Sequence, residues 1–153
     1  SHHSKKNIAI RKHLCPIPRL EESQVLAEKT GVSSMIDLSD GLASDLKRVC
    51  AESNCGARIY LNKIPLSSHL RKLAKSGDRK VIDYALYGGE DYELLFTIKK
   101  SKIKELQKSW QKMKTAITNI GEILDKKHGI TLEYPDGKEE LLTKMGHNHF
   151  KKN

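Results

Sequence analysis

The tightest constraint on the fold lies in the stretch MIDLSDGLASDL, Met35 to Leu46, where the hydrophobic period changes with almost no residues between the two patterns. Upstream, SSMID is a short apolar run and reads as a strand. From Leu42 onward the apolar residues Leu42, Leu46, Val49 and Cys50 fall at i, i+4, i+7 and i+8, one face of a helix that should stop near Gly56. A strand therefore hands over to a helix through a tight turn that carries Asp37, Ser39 and Asp40.

Acidic residues in such a turn have a simple structural explanation. A helix N-terminus offers free N–H groups and partial positive charge, and Ser39 or Asp40 can serve as its N-cap. That explanation does not reach Asp37, at the end of an apolar strand. Two carboxylates three apart, with a hydroxyl between them and backbone donors alongside, suit a hard cation such as Mg²⁺, which takes oxygen ligands and leaves positions for water and phosphate. A second turn resembles the first. In YGGEDYELLF, Gly88 and Gly89 separate a helix from a strand candidate and are followed by Glu90 and Asp91. Spacing alone favours reading these glycines as a helix stop and the acids as a solvated corner. Together, the two acidic, glycine-marked turns beside core strands point to a metal-phosphate or polar-ligand site without naming a reaction. Asp45, one helical turn past the acidic loop, reads as a surface or capping residue.

The rest of the chain supplies the frame. HLCPIPRLEESQVLAEKTG is a proline-punctuated segment followed by a helix, with Glu21 and Glu22 in the first turn and Gly31 as C-cap. ARIYLN alternates as a strand. Two short helices should follow, one from Ser67 over Leu70 and Leu73, the other capped by Asp78 and carrying Val81, Ile82, Ala85 and Leu86. YELLFTI is the strongest buried-strand candidate, and Ile103, Leu106, Trp110 and Met113 form a helical stripe of core type. AITNIGEIL reads as a strand, and ITLEYPDGKEELL as a hairpin turning at Pro135-Asp136-Gly137. Strands mixed with helices and lacking regular βαβ alternation predict an α+β domain, with one mixed, largely antiparallel sheet and helices packed on it.

Composition sets the outer bounds. With 153 residues, 37% apolar and 31% charged, the chain is long enough for a single core and falls outside the disordered class. No run approaches the roughly 18 apolar residues of a membrane span, and no apolar signal sequence follows a basic start, so no membrane partner and a cytoplasmic location are expected. Net charge +9 raises a nucleic-acid partner. The lysines are scattered, however, and two phenylalanines with one tryptophan form no stacking array, so a solvated basic surface is the expectation. Cys15, Cys50 and Cys55 lack paired C-x-x-C spacing and read as reduced structural thiols. The opening SHHS reads as a tag remnant, leaving residues 1–6 as leader and 7–153 as the domain.

The motifs HLCPIPR, IDLSDGLASDL, CGARIYL, GGEDYELLF and IGEI, in this order, resemble the C-terminal half of thiamine-monophosphate kinases, within the superfamily of aminoimidazole ribonucleotide synthetase. The resemblance runs from about Ile10 to Phe150. It implies ATP-dependent phosphorylation of thiamine monophosphate to thiamine diphosphate, by direct transfer with Mg²⁺. On that resemblance Asp37 and Asp40 would be Mg²⁺ ligands, Ser39 a contact to the nucleotide phosphates and Glu90 a contact to the thiamine moiety, with no residue of this chain assigned a catalytic role. Where family members tend to carry an aromatic residue against the thiamine, shortly before a terminal HF, this chain reads MGHNHF and offers His147. Family members are about twice as long, with an N-terminal domain that supplies most of the ATP site and the homodimer interface. The resemblance therefore implies an isolated C-terminal half, inactive alone. Two other functions remain open on sequence grounds: another ATP-dependent member of the superfamily with a different small substrate, and a basic nucleic-acid-binding module.

Overall fold

Pro16 and Pro18 fix φ and remove two backbone donors, so the leading segment stays extended until α1 (Leu20–Val25) begins. The structure, a computed structural model, describes residues 15–67 and 79–143. Glu21 and Glu22 lie in the first turn of α1 as expected, and the helix widens into a π turn over Leu26–Thr30 before Gly31 ends it at φ 62°. There follow β1 (Ser34–Asp37), α2 (Leu42–Glu52), β2 (Cys55–Tyr60), α3 (Arg79–Tyr87) and β3 (Leu94–Thr97). The described chain finishes with α4 (Ile103–Trp110), β4 (Gly121–Asp125), β5 (Ile130–Glu133) and β6 (Glu139–Leu141). The helix expected over Leu70 and Leu73, the Asp78 cap, the SHHS leader and His147 lie outside the described residues.

The α+β class holds, but the strands form two sheets where one was expected. Among the described residues β1 pairs with β3 alone, antiparallel, in the register Ser34↔Thr97 to Asp37↔Leu94. The larger sheet has the order β4-β2-β5-β6, with β2 antiparallel to β4 and parallel to β5, and β5 antiparallel to β6. Both edges of β2 are taken by β4 and β5, so β1 cannot pair with β2. The hairpin between β5 and β6 turns where expected: Gly137, at φ 81°, donates its N–H to Tyr134 C=O at 2.9 Å, and Asp136 Oδ1 accepts from Lys138 N–H at 3.0 Å.

α2 is the central element. Its Leu42, Ala43, Leu46 and Cys50 face Ala57 and Ile59 of β2 and Leu132 of β5 in one apolar cluster, which also takes in Leu86 of α3 and Leu95 of β3. Each such side chain, fully buried, contributes about 1.5–3 kcal/mol over leaving it in water. β3 is less buried than YELLFTI led us to expect: only Leu95 of its residues is fully covered, because the strand is short and pairs on one edge. α4 also stops earlier than the Ile103-to-Met113 stripe implied. It ends at Trp110, and Met113 follows in a turn whose N–H bonds Trp110 C=O at 2.9 Å. α4 packs on the π turn, where Leu26 and Thr30 are buried, with Leu106 as its own fully covered residue.

Candidate functional site

The two acidic turns are a single structure. Beyond the last β1–β3 pair, Asp37↔Leu94, the strands stay joined by Leu38 N–H to Glu93 C=O at 2.8 Å and Tyr92 N–H to Leu38 C=O at 2.9 Å. One step further, Glu90 donates its N–H to Ser39 C=O at 2.9 Å. This approach requires glycine on both sides. A Cβ on Gly41 would stand 2.7 Å from Gly88 C=O, and one on Gly89 would stand 2.6 Å from Ser39 C=O, closer than real Cβ atoms come. Two residues other than glycine, Glu90 at φ 66° and Tyr92 at φ 51°, hold the left-handed region in the second turn. Such backbone persists where its surroundings over-determine it, and it concentrates at functional sites.

The N-cap explanation of Ser39 and Asp40 is overturned. The N-cap of α2 is Gly41, at φ 96° and ψ 154°, and no side chain caps the helix. Asp40 is engaged otherwise: its Oδ2 accepts from Arg48 Nη2 at 2.7 Å, and its N–H donates to Asp45 Oδ2 at 3.1 Å. Asp45 in turn accepts from Arg48 Nη1 through Oδ1 at 3.1 Å. Nor is Asp45 a surface residue. It is fully buried, and its helix spacing explains why: Leu42, Asp45, Leu46 and Val49 lie at i, i+3, i+4 and i+7, which places a carboxylate in the apolar stripe. Burial raises the Asp45 carboxyl above its ordinary pKa, while the Asp40 N–H and Arg48 act in the opposite direction. That spacing is the sequence signal for a buried Asp45.

The other predicted residues are placed as follows. Asp37 ends β1 with its side chain exposed, and its negative charge, with those of Asp45 and Asp40, contributes to raising the Arg48 pKa behind the Asp40 hydrogen bond. Ser39 is half-buried and contributes its carbonyl to the suture between the turns. Glu90 is exposed at the head of the second turn. Asp91 beside it is exposed as a residue, yet desolvation of its carboxyl, followed by the Glu93 charge, raises its pKa. Asp37, Ser39, Asp40 and Glu90 thus belong to one pair of joined turns.

Arg19, which sequence reasoning did not single out, ties the proline segment to this corner. Its Nε and Nη2 donate to the two Glu93 oxygens at 3.0 and 2.7 Å, a bidentate fork that Lys cannot make. Among the described residues no group of three His, Cys, Asp or Glu side chains is arranged to hold a metal by itself. Nor is any helix among them long and apolar enough to cross a membrane. The donor set at the first turn is two carboxylates and a hydroxyl, hard oxygen ligands of the kind that share Mg²⁺ with waters and phosphate oxygens. By donor chemistry these residues would fit part of a Mg²⁺ site, the remaining ligands of which would have to come from outside them.

Comparison with known proteins places these features in context. Residues 10–133 match the family described as AIR synthase related protein, C-terminal domain. A thiamine-monophosphate kinase of Buchnera aphidicola subsp. Acyrthosiphon pisum (strain APS) is 41% identical over 145 residues, covering 95% of this chain and 43% of that protein. Among solved structures, AaThiL in complex with AMPPCP and TMP superposes with a TM-score of 0.69 at 30% identity, covering 92% of this chain and 40% of its own. The thiamine-monophosphate kinase from Stenotrophomonas maltophilia K279a gives 0.71 at 33% identity, over 85% of this chain and 39% of its own. The chain thus spans less than half the length of the relatives it matches.

Proposed function

The chain belongs to the AIR synthase related protein family through that family's C-terminal domain, and on this premise we propose that residues 7–153 serve as the C-terminal domain of a cytoplasmic, ATP-dependent thiamine-monophosphate kinase. The observation that carries the reading is the suture of the two motif turns, DLSDG and GGED, through Glu90 N–H to Ser39 C=O. It joins the turn that would hold cation and phosphate to the turn that would meet the substrate. The 41% identity to a thiamine-monophosphate kinase supports the choice of substrate.

In the proposed reaction a phosphate oxygen of thiamine monophosphate forms a bond to the γ-phosphorus of ATP. The bond from that phosphorus to the bridging oxygen breaks, and ADP leaves. Little covalent chemistry falls to the protein in such a transfer, so its work is to position the substrates and stabilise charge. Asp37 and Asp40 would hold Mg²⁺, which when bound neutralises charge on the phosphates. Ser39 would contact the nucleotide phosphates, Glu90 the thiamine moiety, and His147 its ring. An N-terminal domain would supply most of the ATP site and the homodimer interface.

The test is thiamine diphosphate formation from thiamine monophosphate and ATP, by this chain alone and after addition of the N-terminal domain of a matching relative. The chain alone should be inert and the combination active. In the active combination Asp37→Asn and Asp40→Asn should each lower turnover and raise the Mg²⁺ requirement, with folding unchanged. Full activity and unaltered Mg²⁺ dependence in Asp40→Asn would remove that carboxylate from the site. Synthesis by the chain alone would overturn its role as one domain of a larger active site.

A further inference from the structure

The carboxylate at Asp40 is already held by a cation. Arg48 Nη2 donates to Asp40 Oδ2 at 2.7 Å, while Nη1 of the same guanidinium donates to Asp45 Oδ1 at 3.1 Å. The second oxygen of Asp45 takes the Asp40 N–H at 3.1 Å. Asp40 is therefore gripped twice, at its backbone by Asp45 and at its side chain by Arg48. The two grips differ in kind. Asp45 is sealed in the protein, with no exposed surface, whereas the Arg48 side chain is 52% exposed.

Charge explains why a cation stands there. Asp37, Asp40 and Asp45 all act on Arg48 electrostatically, so this one guanidinium offsets the mutual repulsion of three carboxylates on a short stretch of chain. A divalent cation bound between Asp37 and Asp40 would do the same with twice the charge, and it would compete with Arg48 for Asp40 Oδ2. An arginine whose side chain is half exposed gives up such a bond at small cost, because exposed ion pairs contribute little net free energy.

We infer that Arg48 is a resident counter-cation of the DLSDG turn: it holds the Asp40 carboxylate while no metal is bound, and yields Oδ2 to a divalent cation while remaining tethered to buried Asp45. Arg48 and Asp45 are thus positioning residues, Asp45 fixing the loop backbone and Arg48 setting how readily the metal enters. The inference rests on the Mg²⁺ reading of Asp37 and Asp40 given above.

Mn²⁺ is the probe, titrated into the full chain and read as free Mn²⁺ by electron paramagnetic resonance, which requires neither ATP nor turnover. Arg48→Gln removes the competitor and should tighten Mn²⁺ binding by roughly 1.4- to fivefold, the span of an exposed ion pair. Arg48→Lys keeps the charge without the fork and should lie closer to wild type. Asp40→Asn should weaken binding. If Asp40→Asn weakens binding while Arg48→Gln matches wild type or binds less tightly, the counter-cation role is overturned and the carboxylate site stands. If Asp37→Asn and Asp40→Asn both leave Mn²⁺ binding unchanged, the carboxylate reading fails and the role of Arg48 falls with it. A measurement on the unsubstituted chain covers the case of a misfolded variant: Mg²⁺ titration should shift the Arg48 guanidinium nitrogen resonances and free rotation about its Cζ–Nη bonds. Resonances that stay in place at saturating Mg²⁺ would overturn the proposal.

Discussion

Gly41→Ala should be among the most damaging small substitutions in the chain. Gly41 sits at φ 96° and ψ 154°, a region essentially reserved for glycine, and placing a side chain there costs about 1–3 kcal/mol. The added Cβ would also stand 2.7 Å from Gly88 C=O and 3.1 Å from the Tyr87 carbonyl carbon. Both obstacles are backbone, so no rotamer change relieves them. That backbone is itself held, since Gly88 N–H donates to Tyr84 C=O at 2.9 Å. Forcing a methyl into such a gap adds about 1–3 kcal/mol. Alanine restrains the unfolded chain and returns about 0.4–1 kcal/mol, leaving a net loss of about 1–5.5 kcal/mol against a total stability of about 5–15 kcal/mol. Gly31→Ala is the internal control. Gly31 has φ 62°, but a Cβ there meets nothing within 4 Å, so only the conformational cost applies and the loss should be about 0.5–1.5 kcal/mol. Urea unfolding of both variants, followed by circular dichroism and by Trp110 fluorescence, gives the two values. A Gly41→Ala loss no greater than that of Gly31→Ala would refute the close approach of the two turns.

Two further outcomes follow from ionisation. The Thr115 hydroxyl donates to Glu22 Oε1 and, as the largest influence, holds the Glu22 carboxyl below its ordinary value of 4.5. A carboxyl lowered in the folded state contributes stability that is present above its unfolded pKa and is lost as pH falls through the lowered folded value. Glu22→Gln should therefore flatten the fall of stability below about pH 4.5 and lower stability at neutral pH, both measured as urea midpoints against pH. Among the thiols, burial, with Cys55 adding, pushes Cys50 up to about 12, while Cys15 is exposed. Iodoacetamide at pH 8 should label Cys15 and spare Cys50 in the folded chain, and labelling of Cys50 at the rate of Cys15 would contradict its burial.

Local patterns were sufficient for most elements because each carried its own period. The stripe of Leu42, Leu46, Val49 and Cys50 became the central helix, and Pro135-Asp136-Gly137 became the hairpin turn. The division into two sheets was hidden for a different reason. Which strands share edges is decided by long-range pairing, and nothing within SSMID or ARIYLN records that β2 has both edges filled, one of them by a parallel partner about 70 residues downstream. The early end of α4 has a local cause that pattern reading passed over. Trp110 turns its indole N–H to Thr115 C=O at 2.6 Å, and the chain folds back around the ring before Met113 can extend the stripe.

At the site, residue types indicated the chemistry but not the support beneath it. Asp37, Ser39 and Asp40 stood out as carboxylates and a hydroxyl in one glycine-marked turn, whereas spacing alone read Glu90 as a solvated corner and only the family resemblance gave it a role. Asp45 did not, since a charged residue early in a helix usually faces water, and the apolar positions on either side of it were read as the core stripe without it. A carboxylate inside that stripe is costly to bury unless hydrogen-bonded, and here it accepts from Asp40 N–H and from Arg48. Its cost is tolerable only because the loop is held. A free DLSDG turn would leave the Asp45 oxygens short of donors, and a missing Asp45 would leave the Asp40 N–H without its acceptor. Burial of Asp45 and the shape of the acidic turn are therefore one coupled arrangement. The acidic side chains of this corner reach the surface, while the backbone that carries them is anchored from within the core by Asp45.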